Sequence, residues 1–159
     1  MGNSARALIR KLGLLPHPEG GYYREIHRSR ESVSTRKGRR AALTTIFFLL
    51  ERGQKSVFHR VASDEVWHYY AGAPLRLWRV SKDFASSERL VLGPTGRGRS
   101  PVAVIAAGEW QAAESAGDYT LTGCTVGPGF DFADFLLLRD DAAAGRKLRA
   151  AQPRLARFI

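Results

Sequence analysis

Cysteine is almost missing from this chain of 159 residues: Cys124 stands alone, which excludes an internal disulfide. No succession of charged, apolar and small residues opens the sequence as a secretion signal would, so a reducing, cytoplasmic setting is expected. Long hydrophobic runs are missing too. The longest, 41–50, is about half of what a helix needs to cross the ~30 Å hydrocarbon layer of a bilayer, so no membrane partner is expected. Acidic residues are few, 15 against 25 lysines and arginines, leaving a formal net charge of +10. Such an excess attracts phosphates, but it falls in 24–40, in the turn 97–99 and in 146–157, with no helix carrying a base-reading pattern. Charge of this kind speaks to solubility and unspecific attraction, and no specific nucleic-acid partner is expected. What is present is ordinary for a globular protein: 44% hydrophobic and 25% charged residues, enough for one packed core.

The chain opens with a short amphipathic helix, in which Ala5, Leu8, Ile9 and Leu12 recur at helical spacing, Ser4 caps the start and Gly13 stops it. Two prolines and two glycines in Pro16-His17-Pro18-Glu19-Gly20-Gly21 make a tight turn that fixes where the chain enters the first strand, 22–27. The polar stretch 28–40 reads as an exposed loop, the least ordered internal segment. From residue 41 short β-type runs follow one another: 41–50, 56–61, 65–70, 75–80, 88–92, 102–106, 109–113, 119–126 and 132–138. Nine runs separated by glycine-bearing turns predict an all-β sandwich or barrel with no alternating helices and no internal repeat. Residues 141–159 show helical periodicity in Ala144, Leu148 and Ala151 until Pro153, predicting a short surface helix and a loose basic end.

One spacing stands out. Gly53 is followed after five residues by His59, then by Val61, after three more by Glu65, and after six by Gly72. It resembles the first motif of the cupin superfamily, with Val61 where a second histidine is usual. Ala106-Ala107-Gly108-Glu109-Trp110-Gln111 resembles the second motif, with Ala106 at the usual proline and Gln111 at the usual histidine. The opening helix with Gly13-Leu14, the turn 17–23, the segments 58–61 and 65–68 and the run 126–132 together resemble one small, functionally unsettled cupin family over roughly residues 4–139. The resemblance implies a double-stranded β-helix, a jelly-roll-like barrel, as a single domain over 1–140 with a basic tail over 141–159. It also implies a homodimer, and sugar-nucleotide epimerases are among the structural relatives of such cupins.

Strand alternation supplies geometry of its own. If His59 faces the lumen, Val57 and Val61 line the wall beside it while Phe58 and Arg60 point away. Glu65, Trp67 and Tyr69 share a face of the next strand, opposite Val66, His68 and Tyr70. Gln111 points inward on the cupin alignment. The expected pocket for a small-molecule ligand therefore holds His59, Glu65 and Tyr69 as the chemical groups, with Tyr23, Phe48, Trp67 and Gln111 as binding residues. The competing reading makes His59 and Glu65 a buried structural pair, and Trp67, Tyr69, Phe47 and Phe48 core. His27, His68 and Cys124 read as structural, and of Asp131 and Asp134 one at most sees the ligand.

Metal-binding cupins usually offer three histidines and a glutamate. Here a divalent metal would have only His59, Glu65 and a weak oxygen from Gln111, short of the three ligands common in catalytic sites, so no cofactor is required. Without a metal, His59 beside Glu65 suits acid–base work next to a carbonyl, with Tyr69 or Tyr23 donating to a developing oxyanion. The leading expectation is a metal-independent isomerase or epimerase of a polar, carbohydrate-derived metabolite. The alternatives are a non-catalytic metabolite-binding protein and a metal-dependent oxygenase or isomerase.

Overall fold

The computed structural model describes residues 4–159; the first three residues of the expected 1–140 domain lie outside it. Helix α1 (Ala5–Leu12) begins where the Ser4 hydroxyl accepts the Ala7 amide at 3.3 Å and ends on Gly13 in the left-handed region, as its sequence signals require. Thirteen strands follow: β1 (Leu15–Pro16), β2 (Tyr22–Arg28), β3 (Ser32–Thr35), β4 (Gly38–Ala41), β5 (Thr44–Glu51), β6 (Lys55–Arg60) and β7 (Asp64–Gly72). Then come β8 (Leu75–Val80), β9 (Ser87–Leu92), β10 (Val102–Ile105), β11 (Trp110–Ser115), β12 (Tyr119–Gly127) and β13 (Leu136–Leu137). Helix α2 spans Ala142–Ala151, and none of the described helices is long and apolar enough to cross a membrane.

Two antiparallel sheets form the barrel walls, one in the order β1-β2-β5-β12-β7-β10 and the other β13-β6-β11-β8-β9. Their inner faces meet at one end around Phe48, Leu50, Trp67, Leu77, Leu92 and Ile105, which close that end with a dry core. Helix α1 lays Leu8 against Leu49 and Leu121 on the outer face of the larger sheet.

Three expectations need correction. Residues 28–40 do not form a loose loop: β3 and β4 pair as a hairpin, and the Arg40 guanidinium forks onto Asp134 at 2.8 and 3.2 Å. The tail 141–159 is not loose. Helix α2 and the 3-10 helix Pro153–Phe158 cover the outer face of the smaller sheet, burying Leu148 and Phe158 against Phe58, Trp78 and Trp110 as a second core. Finally, 132–138 is not one strand. Asp131 caps a 3-10 turn, Phe132–Asp134, by accepting the Ala133 amide at 2.8 Å, and only the two residues of β13 pair with β6.

Candidate functional site

The other end of the barrel stays open as a cavity of about 410 Å³. Strands β2, β5, β6, β7 and β12 supply its wall, the segment 130–135 arches over its mouth, and the turn 17–21 enters from the side.

His59 and Glu65 both line this cavity, as do Tyr23 and Phe48. Trp67 and Gln111 lie beneath it. Gln111 is fully buried; its Oε1 accepts the Trp67 indole N–H at 2.8 Å and its amide donates to Glu65 Oε2, so it braces the floor without reaching the cavity. Tyr69 lies four residues along β7 from Glu65, roughly 13 Å at the usual strand rise, toward the closed end. Its hydroxyl donates to the Gly72 carbonyl at 2.6 Å, and Tyr69 does not line the cavity. His68 sits on the outer face, opposite Gly123 and Val102. Cys124, read from the sequence as merely structural, is in the cavity wall, its thiol pushed well up in pKa by burial. Asp131 is at the mouth, whereas Asp134 is turned away to Arg40.

Alternation fails at one point on β6. Gln111 pairs with His59 but Ala113 pairs with Ser56, so β6 carries one residue more than β11 between these points. The bulge brings Ser56 rather than Val57 to His59's side, and the Ser56 hydroxyl donates to Glu19 Oε1 at 2.8 Å. Val61 remains in the cavity wall as expected.

The turn contributes what the sequence reading missed, since His17 and Glu19 both line the cavity. The turn closes on itself, the His17 amide donating to Gly21 O and the Gly20 amide to His17 O, and it docks where the Val57 amide donates to Glu19 O at 2.9 Å. Gly20 has φ +106°, and a Cβ there would come within 2.1 Å of the Lys55 carbonyl oxygen, so only glycine lets the turn approach β6 this closely. A turn carrying two ionisable side chains immediately before an inward-facing strand was the available signal.

The result is a relay of neutral groups. The His59 Nδ1–H donates to the Val57 carbonyl at 2.9 Å, which leaves Nε2 as an acceptor 3.2 Å from Glu19 Oε2. Burial pushes the Glu19 carboxyl up to about 8, with the Ser56 hydrogen bond opposing, and it lowers His59, with the Glu65 charge opposing. Near neutral pH a protonated Glu19 therefore donates to a neutral His59, and the contact is a hydrogen bond rather than an ion pair. His17 Nδ1 accepts the Glu19 amide at 3.2 Å, which puts its proton on Nε2; burial, then the His59 charge, lower its pKa to about 3. Glu65 is raised by burial as well.

These donors do not match the metal centre of cupins. Val61 has no donor, Gln111 has both amide groups engaged, and His59 Nε2 is directed at Glu19. Among the described residues no three His, Cys, Asp or Glu side chains group as metal ligands.

A barrel of two antiparallel sheets, closed at one end and open to a polar-floored cavity at the other, is the double-stranded β-helix of the cupins. The profile described as Cupin superfamily (DUF985) matches residues 6–138, and the chain belongs to that family. It is similar to a hypothetical protein from Leishmania major at 34% identity, with 99% of this chain and 97% of that one covered and a TM-score of 0.86. A protein from Shewanella oneidensis shows 32% identity over 99% of this chain and 94% of that one, with a TM-score of 0.84. Oxalate decarboxylase from Bacillus subtilis, at 16% identity, 85% and 33% coverage and a TM-score of 0.59, shares the fold alone. No curated protein matches the chain.

Proposed function

We propose that this cupin is a metal-independent isomerase or epimerase that moves a proton at a carbon next to a carbonyl group of a small molecule. The supporting observation is the Glu19 carboxyl, 3.2 Å from the fixed Nε2 of His59 and titrating at about 8. A group that titrates near the working pH can both take and return a proton. In the proposed step Glu19 passes its proton to His59 and the resulting carboxylate takes the substrate proton. The C–H electron pair moves into the enolate, whose oxygen accepts a hydrogen bond from His17 Nε2–H or the Tyr23 hydroxyl. Glu65 lines the same cavity and, when ionised, favours the imidazolium. Reversal of these transfers returns the proton, to the same face or, once the planar enolate has turned over within the cavity, to the opposite one. A carbohydrate-derived substrate rests on analogy with other cupins alone.

A non-catalytic metabolite-binding protein is the second reading, favoured by the fact that both Glu19 oxygens already have partners, Ser56 and His59. Incubation in D2O with a panel of small carbonyl metabolites, sugars and keto acids among them, separates the two by proton NMR of the C–H next to the carbonyl. Exchange that is lost in His59→Ala, with binding retained, supports the enzyme. Binding without exchange in the wild type supports the binder, and exchange abolished by a chelator and restored by added metal overturns metal independence.

A further inference from the structure

We infer that the molecule taken by this cavity is a flat ring compound carrying one carbonyl, not a polyhydroxylated sugar derivative. The inference rests on the proton-transfer reading of the same site and narrows it to a substrate class. Its basis is the distribution of polar and aromatic groups through the cavity.

Most of the polar side chains that line the cavity already have a partner. The Thr44 hydroxyl accepts the Phe130 amide at 2.9 Å. Arg28 forks onto Glu25 at 2.7 and 2.9 Å and donates to the Phe130 carbonyl at 3.1 Å. Asp131 accepts the Ala133 amide, and Arg24, which also borders the cavity, lays its exposed guanidinium beside Gly13. Between rim and floor the wall consists of Ile46, Val61, Val126 and aromatic rings. A sugar bound here would have to place several hydroxyls beside apolar wall or beside polar groups that already have partners, and each unpaired hydroxyl weakens binding.

The rings, by contrast, are arranged as a collar. Phe135 lies 5.4 Å from the His59 ring at an interplanar angle of 34°, and Phe132 stacks on His17 at 6.3 Å and 26°. Phe130 meets Phe132 edge-on at 5.0 Å, and Tyr23 meets His17 edge-on at 4.5 Å. Phe132 is 54% exposed although it belongs to this cluster, so a large apolar ring stands at the mouth with one side in water. Beside these rings, His17 Nε2–H and the Tyr23 hydroxyl line the cavity, and neither hydrogen-bonds to another described residue. A collar of π faces above two unengaged donors fits one planar ring with one acceptor oxygen.

The probes are 2-indanone, a planar ring ketone with acidic C–H bonds beside its carbonyl, and D-fructose, a polyhydroxylated ketone, titrated by calorimetry against the full chain. The expected result is at least tenfold tighter binding of 2-indanone. Phe132→Ala, at a position 54% exposed, should weaken 2-indanone about three- to tenfold and leave D-fructose unchanged, with the urea midpoint of the variant checking that it folds. Failure of 2-indanone to bind at millimolar concentration, equal or tighter binding of D-fructose, or an unchanged affinity in Phe132→Ala each overturns the inference. Proton NMR in D2O keeps it separable from the reading beneath it. Binding of 2-indanone without deuterium uptake retains the ring preference and removes proton transfer, whereas deuterium uptake by D-fructose alone retains proton transfer and removes the ring.

Discussion

Glu19→Gln reports directly on the buried relay. Glutamine has nearly the same shape, keeps an acceptor for the Ser56 hydroxyl, and presents an amide donor to His59 Nε2, so it imitates the protonated carboxyl while removing its titration. In the folded wild type this carboxyl titrates at about 8 against an ordinary 4.5. A raised value in the folded state means that its contribution is fully present below about 4.5 and is lost as pH rises toward about 8. Across that interval, at ~1.4 kcal/mol per pH unit, ionisation costs the folded state up to roughly 5 kcal/mol. Glu65 is raised as well and remains in the variant, so the alkaline decline should shrink without vanishing. The histidines act in the opposite direction. His17 and His59 are lowered, so their contribution is present above the ordinary 6.5 and is lost as pH falls, for His17 toward about 3. That acid limb should survive in Glu19→Gln. Urea unfolding followed by tryptophan fluorescence from about pH 5 to about pH 9 measures both limbs. Alkaline limbs of equal slope in the two proteins would refute a neutral, buried Glu19.

Two further changes test the elements that hold this site. Leu148→Ala removes a fully buried side chain from the second core and should cost about 2–5 kcal/mol in urea unfolding; a loss below ~1 kcal/mol would mean that the C-terminal segment is not part of the fold. Gly20→Ala forces a Cβ against the Lys55 carbonyl at positive φ, so it should cost on the order of 2 kcal/mol or more. It should also draw Glu19 away from His59, seen as a changed His59 titration by NMR, and a neutral effect on both would refute the close docking of the turn.

Much of the barrel was legible because half-buried strands announce themselves by alternation. Glu65 and Trp67 point inward and His68 outward, as their positions along β7 require, and Phe58 leaves the lumen for the outer core. The hairpin of β3 and β4 was illegible for the converse reason. Its residues are polar on both faces, so no apolar pattern marks strands that are held by backbone pairing and by Arg40 on Asp134. The docked tail hid its apolar face across Pro153, with Leu148 on one helix and Leu155 and Phe158 on another of different pitch. Ser56 gave no sign of facing His59, because a bulge resets the alternation that a sequence reading must assume.

Taken alone, the sequence determined the succession of strands from β5 to β12, the cupin framework and the positions of His59 and Glu65, because these depend on local periodicity and fixed spacing along the chain. Only the tertiary structure decided that His17 and Glu19 complete the site, that Gln111 and Trp67 brace it from below, and that Tyr69 stands apart. Glu19 and His59 lie forty residues apart in the chain, and their contact depends on a glycine turn closing against a bulged strand, which no local pattern encodes. The raised carboxyl and the lowered imidazole both follow from burial, a property of the assembled barrel rather than of either residue.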